Sequence, residues 1–232
     1  RRHTRYGTVT GVQTCALPIY RRAYDLMNCI TVVPGAVGAW RKVAIEQVGG
    51  YTHDTLAEDT DLTWSVRQAG WRIVNDSTAL AFTEAPETLK ALSRQRFRWA
   101  FGTLQNLWKH RRAFGQYGAF GIVALPSLWL YQILFPAISP IMDVAVIWAL
   151  FAGNLSRVLF FYGIMVLAEF LGAVLAIWMD KSDWRLLPSL FIQRFVYRQL
   201  MYYVILRSVV VALQGGAVGW NKLERTGNVQ AR

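Results

Sequence analysis

An α/β globular part followed by a bundle of membrane-spanning helices is the fold class this sequence predicts, and three observations predict it. Charge is unevenly placed: residues 1–112 carry most of it, while the stretch from Ala113 to Met142 holds none. A second long apolar stretch, Val158 to Met179, contains only Glu169. Apolar runs of about 20 residues are long enough to cross a bilayer core as helices. Upstream of them, short β-branched runs alternate with helical patterns, as in an α/β layer.

The elements follow in chain order. Arg1 to Ile19 shows neither helical nor strand periodicity and is too polar for a signal peptide, so it reads as a non-native scar or a disordered lead and is expected to pack poorly. Cys29 to Val33 reads as a buried strand closed by the turn Pro34-Gly35. Arg41 to Val48 has helical spacing and stops at Gly49-Gly50, and Asp59 to Gln68 reads as a second helix followed by Gly70. Thr60, Asp61 or the preceding acids could cap that second helix. Trp71 to Val74 and Thr78 to Phe82 are strand-like, separated by Asn75-Asp76-Ser77. Pro86-Glu87-Thr88 then opens a long amphipathic helix through about His110, with Leu89, Leu92, Leu104, Leu107 and Trp108 near its apolar stripe.

The apolar half runs Ala119–Ile138, Ile141–Gly153, Val158–Met179 and Pro188–Gln214. The second of these is short for a span and reads as half of a helix broken at Ser139-Pro140, which gives three or four spans. Lys222 and Arg225 slightly favour four, since that number returns the tail to the side of Lys109, His110, Arg111 and Arg112. The domains are therefore 1–19, a soluble part with an interfacial helix at 20–112, a membrane region at 113–216 and a tail at 217–232.

The net charge of +11 has two readings. Nucleic-acid binding has no accompanying motif and is set aside. A cytoplasmic face turned to anionic membrane lipids and a charged substrate fits the basic residues placed just before the first span. Cys15 and Cys29 have no metal-type spacing, and the three histidines are scattered, so neither a zinc site nor a disulfide framework is expected.

The run Gln95-Arg96-Phe97-Arg98-Trp99 carries the chemistry. In a helix, Gln95, Arg98 and Trp99 at i, i+3 and i+4 project from one face. They offer an amide, a fixed cation that binds phosphate bidentately, and a flat indole on which a sugar ring can stack. Upstream, Glu58-Asp59 supplies a carboxylate able to take a proton from a hydroxyl. The bland readings are a helix-start acid held by the macrodipole and an interfacial helix whose Arg94, Arg96 and Arg98 touch lipid phosphate.

Taken together and in this order, the ED pair and the QxxRW run resemble the processive family 2 glycosyltransferases of membranes: cellulose, hyaluronan and chitin synthases, and especially the poly-N-acetylglucosamine synthases. The resemblance implies that residues 20–112 are the C-terminal half of a GT-A-like nucleotide-sugar domain in a longer enzyme, inactive as this chain alone. It implies Asp59 as the catalytic base of an inverting β-transfer, with Glu58, Gln95, Arg98 and Trp99 binding substrate. Gly35-Ala36 and Trp40-Arg41 resemble the segment that approaches the acceptor, and on their own they read as a turn entering a helix. Many relatives have threonine before the acidic pair, where Ala57 stands here. The tail Gly219-Trp220 through Arg225-Thr226-Gly227 resembles the poly-N-acetylglucosamine branch.

The same resemblance implies a UDP-sugar donor (N-acetylglucosamine first, glucose second), a growing polysaccharide acceptor, and accessory membrane subunits. It also implies Mg²⁺ or Mn²⁺ held by upstream aspartates. Asp59-Thr60-Asp61 has an Asp-x-Asp letter pattern but stands at a helix start rather than at a strand end. The location implied is the cell membrane, multi-pass, with the catalytic part cytoplasmic. Two rivals stay open: a non-processive family 2 transferase acting on a lipid, and a non-catalytic transport or scaffold subunit. The ionisable residues of the apolar half, Asp143, Glu169, Arg194, Arg198 and Arg207, line a watery sugar path or pair helix to helix. Trp129, Tyr131, Trp148, Tyr197, Tyr202 and Tyr203 are either sugar platforms or an interfacial belt.

Overall fold

Glycine and threonine punctuate the soluble part. The computed structural model describes residues 22–36, 38–76, 86, 88–180, 184, 187–188 and 193–215. Helix α1 (Lys42–Val48) ends where Gly49 and Gly50 turn left-handed, at φ 82° and 79°, and their N–H groups close back onto Glu46 and Ile45. Helix α2 (Glu58–Gln68) is followed by Gly70 at φ 91°. Its start differs from expectation, because neither Thr60 nor Asp61 caps it. Ala57 holds the cap position without a side-chain bond, and Glu58, Asp59 and Asp61 in the first turn meet the positive end of the helix dipole instead. Helix α3 (Leu89–Lys109) is capped by Thr88, whose Oγ1 accepts the Ala91 N–H at 3.1 Å.

Residues 29–33 are extended and largely buried, yet no strand forms among the described residues. A strand needs a ladder partner, and here side chains of α2 take the backbone bonds instead. Trp64 Nε1 donates to the Thr31 carbonyl at 2.7 Å, and the Val33 N–H donates to Thr63 Oγ1 at 3.0 Å. Trp71–Val74 is likewise not a strand. Thr78–Phe82, residues 1–19 and the tail from Gly219 to Gly227 lie outside the described residues.

The membrane half differs more from expectation. Phe120–Phe151 is one uninterrupted helical stretch, here α4, so the expected break at Ser139-Pro140 is absent. Pro140 sits inside its α-helical part, and the Ser139 hydroxyl donates to the Phe135 carbonyl at 2.8 Å. Wide π turns at Phe120–Ala124 and Trp129–Leu134 come just before Pro126 and Pro136. A proline lacks the N–H and crowds the carbonyl four residues back, and a wider turn relieves both. At 1.5 Å per residue the stretch is about 48 Å long, more than a hydrocarbon core of about 30 Å, so it must tilt or reach past the interface.

With Leu155–Leu175 within α5 (Leu155–Asp180) and Phe195–Leu213, which ends in α6 (Arg198–Leu213), the described residues contain three helices long and apolar enough to cross a membrane. Splitting 119–153 into two spans was what allowed a count of four. Nearly every large apolar side chain of α5 is exposed, as suits a lipid-facing helix.

The main core joins the two halves. Ala100 and Leu107 of α3 are buried with Phe120, Ala124, Leu125, Leu128 and Ile133 of α4, Val204 and Ile205 of α6, and Cys29 and Trp64. Phe97, Leu104, Leu200 and Met201 pack around them. The core-facing stripe of α3 is thus the buried Leu92, Ala100, Phe101 and Leu107 with the half-buried Phe97 and Leu104, whereas Leu89 and Trp108, expected on it, are exposed. Trp108 instead carries the Arg111 guanidinium 4.7 Å above its ring. A smaller core of Ala44, Leu62 and Val66 packs with Trp40, Val48 and Trp71 beneath α1 and α2.

Two ionisable residues of the spans pair helix to helix. Arg198 of α6 donates to Asp143 of α4 at 2.5 Å and also contacts the Tyr202 hydroxyl. Arg207 lies 4.8 Å over the Phe97 ring of α3. Tyr197 and Tyr202 are buried, so neither offers an open platform, while Trp129, Tyr131, Trp148 and Tyr203 are exposed. The Arg194 side chain lies outside the described residues.

Candidate active site

The first turn of α2 and one face of α3 build the site. The extended segment 31–35 runs along α2 and is fastened at every second residue, as the two-residue period of extended chain allows. Thr31 meets Trp64, Val33 meets Thr63, and the Gly35 N–H donates to Asp59 Oδ2 at 3.0 Å. The other oxygen, Oδ1, accepts the Thr60 N–H at 2.7 Å. Two backbone donors therefore fix the position of the Asp59 carboxylate. Oδ1 also accepts the Thr60 hydroxyl at 3.4 Å, whereas Oδ2 keeps a second lone pair with which to meet a hydroxyl. Gly35 and Asp59, both expected in the site, are brought together. Ala36 is exposed in the turn beside Gly35, and Glu58 is half-buried. Trp40 is not part of this group, since it packs into the core under α1, and Arg41 is the exposed residue that precedes α1.

Helix α3 docks on the turn before Glu58 through a face that recurs every three or four residues. Gly102 is the contact point. A Cβ built there would lie 2.7 Å from both the Ala57 Cβ and the Ala57 backbone nitrogen. Below it, Asn106 Nδ2 donates to the Ala57 carbonyl at 3.0 Å, and Gln105 Oε1 accepts the Leu56 N–H at 2.8 Å. Gln95, Arg98 and Trp99 continue this face toward the N-terminus, at i−7, i−4 and i−3 from Gly102. Trp99 is 46% exposed, and Gln95 and Arg98 are half-buried. By register the amide, the guanidinium and the indole share the side of α3 that carries Gly102.

A buried polar cluster fixes the other end of the contact. Asp61, 2% exposed at its side chain, accepts from Thr52 Oγ1 at 2.5 Å, Lys109 Nζ at 2.9 Å and His110 Nε2 at 2.7 Å. His110 Nδ1 meets the Gln68 amide at 2.7 Å, and its ring meets Trp64 edge-on. Burial alone would raise the Asp61 pKa, but the bonds from His110, Thr52 and Lys109 outweigh it and hold the carboxyl well below the usual range. Lys109 also bridges to Asp54 at 2.9 Å. Lys109 and His110, read from sequence as lipid-facing, are committed to the fold, whereas Arg111 and Arg112 are exposed.

The sign of the pH effect follows. A carboxyl whose folded pKa is depressed adds stability above its unfolded value, about 3.9, and loses it as pH falls below that. Asp61→Asn should lower stability by roughly 1.5–3 kcal/mol at neutral pH. It should also remove part of the acid-induced loss below about pH 4. Thermal unfolding of the detergent-solubilised protein from pH 6 to pH 3 checks this. An unchanged acid slope in the variant would rule out the tether.

No group of three or more His, Cys, Asp or Glu side chains among the described residues is arranged to hold a metal ion. Asp61, the second aspartate of the Asp-x-Asp pattern, has both oxygens taken by Thr52, Lys109 and His110. The residues described do not fit a divalent cation.

Sequence reasoning missed Asp61, Gly102 and Asn106. A glycine inside a helix costs about 1 kcal/mol against alanine, so Gly102 was itself a sign of close approach. Asn106 stands one turn further along the same face. Asp61 carried no signal of this role, because its basic partners Lys109 and His110 lie 48 and 49 residues away.

Membrane-length helices thus follow an acid anchored at a helix start and an amide–guanidinium–indole run on the next helix. The glycosyl transferase family group 2 profile matches residues 15–213, and the chain belongs to that family. It is similar to the probable glycosyltransferase YdaM of Bacillus subtilis, with 42% identity over 73 residues, covering 32% of this chain and 17% of that one. It is also similar to the poly-beta-1,6-N-acetyl-D-glucosamine synthase of Staphylococcus aureus strain COL, with 28% identity over 120 residues, covering 49% of this chain and 29% of that one. In both matches the chain spans less than a third of the relative's length. No solved structure matches the chain significantly.

Proposed function

We propose that this chain carries the acceptor-side part of an inverting, processive β-glycosyltransferase. The donor is a UDP-sugar, N-acetylglucosamine first, and the acceptor is a growing polysaccharide at the cytoplasmic face of the cell membrane. In this reading a GT-A-like nucleotide-sugar domain is completed by sequence beyond the described residues. The observation that supports the proposal is the docking of α3, which carries Gln95, Arg98 and Trp99, on the turn before Glu58 and Asp59 through Gly102 and Asn106.

The acceptor hydroxyl oxygen attacks the anomeric carbon from the face opposite the leaving group. A new C–O bond forms with inversion, the bond to the diphosphate oxygen breaks, and UDP leaves with the electron pair. Asp59 takes the hydroxyl proton and later returns it to water. Arg98 meets the negative charge growing on the diphosphate, Trp99 supports the acceptor ring, and Gln95 and Glu58 hydrogen-bond to the sugars. Gly35 and Ala36 line the acceptor's approach.

Arg98→Ala is the test. In the full-length enzyme it should weaken UDP binding by about 1.5–3 kcal/mol, roughly 10- to 100-fold, and lower turnover as well. UDP titration beside a sugar-transfer assay reads both. Normal UDP affinity in the variant would remove Arg98 from the diphosphate site. Product length separates processive synthesis from a single addition to a lipid, and absence of any UDP binding by the full-length protein would favour a scaffold role.

A further inference from the structure

Arg96, read from sequence as a lipid-facing cation, does something else. Its guanidinium carbon lies 4.5 Å from the centre of the Trp99 ring and 5.6 Å from that of Tyr197. Tyr197 stands in the wide turn at the foot of α6 and is 2% exposed. Arg96 and Trp99 are one helical turn apart on α3, whereas Tyr197 belongs to a membrane-length helix packed against α3 through Phe97, Ala100 and Leu104.

A planar guanidinium stacks on aromatic faces in a way that an ammonium does not. An indole has two faces, and Arg96 covers one. Trp99 is 46% exposed. We propose that Arg96 is a positioning residue: in contact with both Trp99 and Tyr197, it holds the Trp99 ring with one face free for the acceptor sugar and ties that platform to the last membrane-length helix.

The proposal rests on the reading of Trp99 as the acceptor platform, and the experiment keeps the two apart. In the full-length enzyme reconstituted in nanodiscs, transfer is measured against the concentration of a chito-oligosaccharide acceptor, with UDP inhibition measured in parallel. Arg96→Gln should raise the acceptor KM about five- to tenfold, the size of a partly buried cation–π contact, and leave kcat at saturating acceptor and UDP inhibition within about twofold. Arg96→Lys should recover only part of the loss. Tyr197→Phe should match the wild type because it keeps the ring, and Tyr197→Leu should resemble Arg96→Gln. Arg96→Gln combined with Tyr197→Leu should be no worse than either alone, as expected for residues acting as one unit.

A general folding defect would lower kcat and nucleotide inhibition with KM and would not spare Tyr197→Phe, so that pattern overturns the proposal. Wild-type KM in Arg96→Gln, with a raised KM in Trp99→Ala, also overturns it while the platform stands. Wild-type KM in Trp99→Ala overturns the platform and the positioning role with it.

Discussion

Replacing Asp59 by asparagine in the full-length enzyme is expected to lower turnover by roughly 10²–10⁴-fold, the range for loss of a general base. The amide keeps the size and shape of the carboxylate, and its oxygen can still accept the Gly35 N–H that holds Asp59 Oδ2 at 3.0 Å. The local fold should therefore survive. What disappears is the ability to take the proton of the attacking hydroxyl. UDP affinity should stay near wild type, since Asp59 does not face the diphosphate in this account. A variant that transfers sugar at the normal rate would show that the proton goes elsewhere.

Gly102→Ala should be the most damaging change at a residue that bears no chemistry. Helix propensity alone would make alanine better by about 1 kcal/mol. The added carbon, however, would lie 2.7 Å from the Ala57 Cβ and backbone nitrogen, and backbone does not move aside cheaply. Overpacking of this kind costs roughly 1–3 kcal/mol, so the clash should win and α3 should shift away from the acidic turn. A displacement of about 1 Å can cost about 10²-fold in rate when it misaligns reacting groups. Thermal stability and turnover, measured together, check this. Ala57→Gly in the same chain removes the opposing Cβ and should restore part of both. A Gly102→Ala enzyme of normal activity would mean that the docking does not set the site.

The soluble helices were legible because their ends are written locally. Gly49-Gly50, Gly70 and Thr88 each act on the nearest turn, and the helix bounds follow them closely. Asp59 and the Gln95-Arg98-Trp99 face were legible as spacing along a helix. The contacts that assemble them were not, because each joins distant segments: Gly102 to Ala57, Asp61 to Lys109 and His110, and Arg96 to Tyr197.

Ser139-Pro140 misled for a related reason. Proline penalises a helix locally, yet the wide turns ahead of Pro126 and Pro136 and the hydroxyl of Ser139 let the helix continue. Lys109 and His110 also misled, since a basic cluster beside a span reads as lipid-facing until a buried carboxylate is found beneath it. The expected strand at 29–33 kept its extended chain and burial, and lost its ladder to the side chains of α2.

The central claim is that Asp59 and the Gln95-Arg98-Trp99 face serve one acceptor. An experimental structure of the full-length protein with UDP and an oligosaccharide acceptor tests it most directly. The terminal acceptor hydroxyl should lie within about 2.6–3.2 Å of an Asp59 oxygen, with the terminal ring on the open face of Trp99. An acceptor bound elsewhere, with Asp59 facing only the Gly35 N–H, would contradict the account.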